Sequence, residues 1–224
     1  MLAVVRRLLG LGASTPVSAP VRARGPFEDL REQIRRDVAN GFLDEDAILA
    51  NAQDLIDEYA EDMDADLVRR EALMMLYEAL ADHLQEEKGW TDATDCDRLD
   101  AAFAAMEKDG LIARQNFSWC TEAGVAAIWD EVRAAQADGR PTRGYTFFHA
   151  QDSEGAVDGH GLFLNYGACG PGEAAAVAIG HEVVAHLAAQ GLKPEWDGSL
   201  SRRIGVPIQW RKRRASEGGA ARQA

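Results

Sequence analysis

Long apolar runs are missing from this chain. No stretch approaches the roughly 18 residues that cross a bilayer as a helix, so no membrane partner is expected. Paired cysteines are missing too. Cys96, Cys120 and Cys169 are odd in number and widely separated. They give no disulfide framework and fit a reducing, cytoplasmic setting. Basic residues are scarce: 24 Lys and Arg stand against 37 Asp and Glu, for a net charge of −13. An acidic surface repels phosphate backbones, so nucleic acid is not the expected partner. There is no phosphate-binding glycine loop, nucleophile elbow or dinucleotide fingerprint. No cofactor is expected.

The charge is unevenly placed. Residues 1–27 hold four Arg and no acid, and residues 28–110 carry a net −17. Residues 111–200 carry a net −6, and residues 201–224 a net +6. The Arg-containing, acid-free start shares its composition with organellar transit peptides. It reads as a disordered leader over 1–26, or as a misassigned start. The basic end around Arg211-Lys212-Arg213-Arg214 offers a contact for an acidic partner or nucleic acid. It reads as a disordered basic tail over 213–224.

Residues 27–90 read as an acidic helical segment. Leu30, Ile34 and Val38 recur every four residues, and Asn40-Gly41 ends that helix. Asp44 caps a second helix, in which Ile48, Ala52, Leu55 and Tyr59 share a face. Asp66 caps a third, with a stripe of Leu73, Leu76, Tyr77, Leu80 and Leu84 closed by Gly89.

Residues 91–212 read as an α+β domain. Asp95–Lys108 is helical, with Leu99, Phe103 and Met106 inward and Gly110 as the stop. Leu111–Phe117 is a strand, and Thr121–Ala137 is a helix with Val125, Ile128 and Val132 inward. Gly144–Gln151 and Leu162–Tyr166 are strands, and a helix opens at Gly170 and runs to Gln190. Leu192–Trp196 and Ile204–Trp210 are the last strands, the latter irregular at Pro207. The fold class is therefore α+β: a helical segment, then a roughly five-stranded mixed sheet covered by helices.

Several familiar chemistries fail on spacing. His181 and His186 flank Glu182, but a zincin helix needs His at i and i+4, about 40° apart. At i and i+5 the two point about 140° apart at roughly 100° per residue. His181 is expected at the surface and His186 at the edge of the buried stripe. Asp62, Asp64 and Asp66 mimic the start of a calcium loop. The sixth and twelfth positions, where such a loop needs Gly and Glu, hold Leu67 and Leu73. No metal site is expected. The helix ending Met106-Glu107-Lys108 before a strand looks like a winged-helix unit, yet its charges are mostly acidic.

A polar and aromatic set collects at strand ends, where sites on sheets are often built. It comprises Gln115, Asn116, Tyr145, His149, Gln151, Asp152, Tyr166, Trp196 and Asp197. Period-two alternation puts Tyr145, Phe147, His149 and Gln151 on one face. His149, flanked by carboxylates, has the chemistry of a general base. The same residues also suit a plain structural reading, in which Asp152 caps a turn and Asp197-Gly198 is a turn.

Thr94 to Phe103, Ala113-Arg114-Gln115-Asn116-Phe117, Gly144 to Asp152, Leu162 to Gly167, Trp196-Asp197-Gly198 and Arg202-Arg203-Ile204 together carry a resemblance. The chain resembles a family of uncharacterised bacterial proteins grouped as a domain of unknown function, over about Glu28 to Arg213. Members of that family often carry Cys-Cys-x-x-Cys after Gln-Asn-Phe. Here only Cys120 remains, with Trp119 and Ala123 at the other places. The resemblance implies a domain and no activity. The resulting expectation is a non-enzymatic binding or interaction protein with a protein partner. The alternatives are a small-molecule binder or enzyme using the set around His149–Asp152, and a winged-helix-like DNA-binding regulator.

Overall fold

The computed structural model describes residues 27–214. The expected leader over 1–26 and the expected tail beyond Arg214 lie outside the described residues.

Among the described residues four helices come first. In α1 (Glu28–Asn40) the four-residue spacing buries Leu30, Ile34 and Val38. Gly41 ends it in the left-handed region at φ 79° and donates its N–H to the Asp37 carbonyl, the arrangement a glycine adopts most cheaply. Asp44 caps α2 (Glu45–Asn51) by accepting from the Ala47 N–H at 2.8 Å. The single second helix expected from the sequence breaks at Ala52 and resumes as α3 (Gln53–Asp62). The break follows Asn51, whose amide donates to Asp37 of α1. The cap of α4 (Ala65–Glu87) is Asp64, not Asp66 as the sequence suggests.

The buried face of α4 also differs from expectation. It consists of Val68, Ala72, Met75, Leu76, Ala79 and His83, while Leu73, Tyr77 and Leu84 of the expected stripe are exposed. Both arcs are apolar, so periodicity alone does not choose between them. The arc turned inward contains Ala72 and Ala79, whose small side chains permit close approach to α1. These helices enclose their own core, built from residues such as Leu30, Ile34, Ile48, Val68 and Leu76.

The remaining elements are α5 (Asp95–Lys108), β1 (Leu111–Arg114), α6 (Thr121–Ala137), β2 (Gly144–Phe147), α7 (Ala150–Val157), β3 (Leu162–Ala168), α8 (Glu173–Ala189) and β4 (Ile204–Val206). Thr94 and Asp97 form a reciprocal capping box that starts α5. The sheet has four strands in the order β1-β2-β3-β4, with β1 parallel to β2 and the other pairs antiparallel. The fold is α+β with a mixed sheet, as expected, but with four strands among the described residues instead of five. The expected strand at Leu192–Trp196 contributes a single bridge from Glu195 to Gly205, beside Pro194, which has no N–H for a ladder. The expected Ile204–Trp210 strand stops at Val206, because Pro207 cannot donate either.

One face of the sheet sends Leu111, Ala113, Leu162, Leu164, Ile204 and Val206 against α5 and α8. The other sends Ile112, Tyr145 and Phe147 against Ile128, Val132 and Ala135 of α6. β1 pairs in parallel with β2 and is followed by α6, not by an antiparallel wing. Among the described residues this unit therefore does not have the winged-helix arrangement.

Residues 207–214 cross the acidic start of α5 and reach the helical layer. The Gln209 N–H donates to Asp95, Lys212 Nζ to Asp100 at 3.1 Å, and the Trp210 indole to the Ala39 carbonyl. Arg213 pairs with Asp97 at 3.6 Å, and Arg214 donates to the carbonyls of Val38 and Leu43. Arg213 and Arg214, which the charge pattern assigned to the tail, are thus bound into the fold. Lys212 and Arg213 of this basic stretch thus pair with acids of α5.

Candidate functional site

The expected strand over Gly144–Gln151 ends at Phe147, and the reason is His149. This residue is the N-cap of α7: its Nδ1 accepts from the Asp152 N–H at 3.3 Å. In return Asp152 Oδ2 accepts from the His149 N–H at 3.1 Å. This is a capping box with imidazole in the place usually held by Ser or Thr. A helix turn therefore carries Gln151 away to solvent, and Tyr145, Phe147, His149 and Gln151 do not share one strand face.

The geometry decides the protonation of the imidazole. A nitrogen that accepts a hydrogen bond carries no proton, so the neutral tautomer has its hydrogen on Nε2. Nε2 sits 3.0 Å from Thr121 Oγ1 and 3.2 Å from Asp152 Oδ2. Burial, then the nearby Arg203, holds the His149 pKa below its usual value, against the opposing pull of Asp152. His149 is 5 % exposed and Asp152 7 %, so neither meets solvent freely.

Asp152 Oδ2 also accepts from Arg203 Nη2 at 2.5 Å. The same nitrogen donates to the Phe163 carbonyl, and the guanidinium lies over the Phe163 ring at 5.7 Å. Beside this cluster, the Ser153 hydroxyl donates to Asn116 Oδ1 at 2.8 Å and accepts from Asn40 Nδ2 at 3.1 Å. Asn116 holds φ 48° and Ser118 φ 67°, a double left-handed turn for which Asn is well suited. That turn directs the Phe117 N–H to the Phe148 carbonyl at 2.8 Å.

Of the expected set, Asn116, His149 and Asp152 thus gather at the start of α7. Gln115 turns instead toward α5, donating to Asp100 at 2.9 Å. Tyr145 lies beneath α6, edge-on to Trp129. Tyr166 and Trp196 form a third group. The Tyr166 hydroxyl and the Trp196 indole both donate to the carbonyls of Ser199 and Arg202. Asp197 accepts from the Ser199 N–H at 3.0 Å, which with Gly198 at φ 80° makes a tight turn. That bond, followed by the nearby Arg202, holds the exposed Asp197 carboxyl below its ordinary range.

An open cleft of about 660 Å³ adjoins these groups, lined by Phe163, Glu195, Trp196, Asp197, Ser201, Arg202, Arg203 and Gly205. Its position follows from the register. Phe147 pairs with Asn165 and Phe163 with Gly205, so all four share the α6 face of the sheet. The α6 core residues meet β1 and β2 on this face, and Phe163 on β3 is left 44 % exposed. The sequence pattern does not single out Phe163, Ser153, Thr121 or Arg203 as site residues. The one signal was an arginine pair directly ahead of the apolar alternation Ile204, Val206.

Among the described residues no group of three or more His, Cys, Asp or Glu side chains is placed to hold a metal ion. His181 is exposed, and His186 contacts Asp109 at 3.2 Å. No described helix is long and apolar enough to cross a membrane.

A family described as a domain of unknown function, DUF6891, matches residues 25–214. The chain belongs to that family. No curated protein and no solved structure matches it. The DUF6891 match runs to Arg214, so it includes the basic segment that crosses α5 as well as the His149–Asp152–Arg203 cluster and the cleft.

Proposed function

We propose that this DUF6891 protein is a non-enzymatic binding protein whose recognition surface is the cleft floored by Phe163. One observation carries the reading: the only lone pair of neutral His149 is used by the Asp152 N–H. A general base must offer that lone pair to a substrate, and here doing so would undo the cap of α7. Asp152 is likewise occupied by Arg203. What remains accessible is an aromatic floor with a rim of both charges, Arg202 and Arg203 facing Glu195 and Asp197. Such a rim suits a partner that presents both signs of charge around an apolar group, as a peptide segment does. The three unpaired cysteines support a cytoplasmic location.

A thermal-shift screen of peptides and metabolites tests this. A ligand at about a hundredfold over its Kd adds about 2.7 kcal/mol, a rise of roughly 5–10 °C for a chain of this size. The shift is expected to vanish in Phe163→Ser and Arg202→Glu and to persist in His149→Asn, since Asn also caps helices. A ligand whose binding or turnover depends on His149, with Phe163→Ser unaffected, would reverse the assignment.

A further inference from the structure

Acceptor oxygens collect between α1 and α7 without a cation to meet them. Asn40 Nδ2 donates across the two helices to Ser153 Oγ at 3.1 Å, and Arg36 pairs across them with Asp158 at 3.4 Å. Asp37 and Glu154 lie between those contacts, one on each helix. Asp37 is 2 % exposed. Its Oδ2 accepts from the side-chain amides of Gln33 at 3.0 Å and Asn51 at 2.9 Å, which leaves Oδ1 to be met. Among the described residues no base pairs with Asp37, and neither a hydrogen bond nor an ion pair reaches the half-buried Glu154 carboxylate.

Asn40 adds a third oxygen. The Ser153 hydroxyl has one hydrogen, directed at Asn116 Oδ1 and the Ala150 carbonyl. Asn40 must therefore present its NH2 to Ser153, which fixes the amide with Oδ1 turned away. That oxygen is buried and has no partner, in a residue 6 % exposed. Helical side chains lean toward the helix N-terminus, so Asn40 leans over Asp37, one turn earlier. The unmet groups are all acceptors. Burial, then the charge of Asp37, raises the Glu154 pKa above its ordinary value, although Arg36 opposes the shift. A buried charge is ordinarily paired or bound to a metal.

We propose that Asp37, Asn40 and Glu154 hold a hard divalent cation, of the class of Ca²⁺ or Mg²⁺, between α1 and α7. An all-oxygen donor set selects a hard ion over a thiophilic one, and two carboxylates carry the charge that a divalent ion neutralises. Only two of the three ligands are acids, so the site is distinct from the clusters of three or more His, Cys, Asp or Glu that the described residues lack. Leu30 and Ile34 of α1 belong to the helical core and Ala156 of α7 to the α+β core, so the ion ties one to the other. So few charged ligands make a weak site, with a Kd on the order of 10⁻⁴–10⁻³ M.

Thermal melts of the full chain test the site, in EDTA and in about 10 mM CaCl2 or MgCl2, against NaCl of matched ionic strength. The wild type should melt roughly 3–8 °C higher with at least one of the divalent salts. Glu154→Gln should change order with the wild type. In EDTA it should melt at or above the wild type, because a repulsion is gone. In the divalent salt it should melt below, and calorimetric titration should show the binding lost. Glu58→Gln and Glu61→Gln, at exposed positions, should keep the full shift. A wild-type shift under about 1 °C with both salts, or one that NaCl reproduces, overturns the proposal. So does a shift that Glu154→Gln keeps in full, because the ion would then sit elsewhere on the acidic surface. Glu154→Gln melting as far below the wild type in EDTA as in the divalent salt also overturns it, because Glu154 would then serve packing alone.

Discussion

Asp152→Ala is the substitution that tests the structural account of the His149 cluster most directly. Asp152 is buried and holds three neighbours: the His149 N–H, His149 Nε2 and Arg203 Nη2. Removing one partner of a buried ion pair typically costs about 3–5 kcal/mol, because the other charge stays behind. The Arg203 side chain is 34 % exposed, so part of the orphaned charge can be rehydrated, and this share falls to about 2 kcal/mol. Loss of the carboxylate half of the capping box adds about 1 kcal/mol. The expected total is about 3 kcal/mol, or roughly 6–12 °C in melting temperature for a domain of this size. Arg203→Met should also destabilise, since it strands Asp152. The double variant should cost less than the sum, with a coupling of about 1–3 kcal/mol. Urea unfolding followed by circular dichroism reads all four corners of the cycle. If Asp152→Ala lies within about 0.5 kcal/mol of wild type, or if the two substitutions simply add, the Asp152–Arg203 pair does not stabilise the fold in the way its geometry implies.

Three further outcomes follow from local geometry. A Cβ on Gly124 would lie 2.5 Å from Cε2 of Phe147, a fully buried ring, so Gly124→Ala should cost about 1–3 kcal/mol in urea despite the better helix propensity of Ala. Burial pushes the Cys96 thiol up to about 12 and raises that of Cys169; iodoacetamide at pH 8 should therefore label Cys120 first and Cys96 only on unfolding, as peptide mass spectrometry will show. The lowered His149 pKa means the unfolded chain binds a proton that the folded chain refuses, so stability should fall with pH between the ordinary value of 6.5 and the depressed folded value. His149→Asn should flatten that slope in chemical denaturation from pH 7 to 5, and an unchanged slope would assign it to another group.

Much of the fold is legible in the sequence because most of its helices announce themselves. Asp44, Gly41 and Gly110 act where the pattern places them, and α6 spans the expected residues. The sheet was harder to read. Period-two alternation continues through Tyr145, Phe147 and His149, and nothing in that alternation marks where the ladder gives way to a cap. Imidazole is an uncommon N-cap, so the usual Ser, Thr, Asp or Asn signal was missing. On α4 the difficulty was opposite in kind. Two apolar arcs compete, and the choice depends on how closely α1 can approach, which Ala72 and Ala79 determine through tertiary contact. The cleft was not legible at all, because it arises where the covering helix stops, a property of the arrangement and not of any motif.

The stretches that looked most like chemistry prove to be backbone devices. Gln-Asn-Phe places an Asn in a left-handed turn and a Phe N–H on the neighbouring chain. His-x-x-Asp starts a helix. Trp-Asp-Gly closes a turn around which Trp196 and Tyr166 converge, and Gly180 leaves room for them, since a Cβ there would stand 2.6 Å from the indole. Each uses polar or aromatic side chains because unpaired backbone groups near a sheet must find partners. A residue type that suits catalysis suits this task equally well, and burial separates the two. His149 and Asp152 are enclosed with their hydrogen-bonding capacity met from within, whereas the side chains of Phe163 and Arg202 stand open to solvent. In the proposed reading, recognition on this scaffold belongs to Phe163 and the charged rim that the turn and cap motifs hold in place.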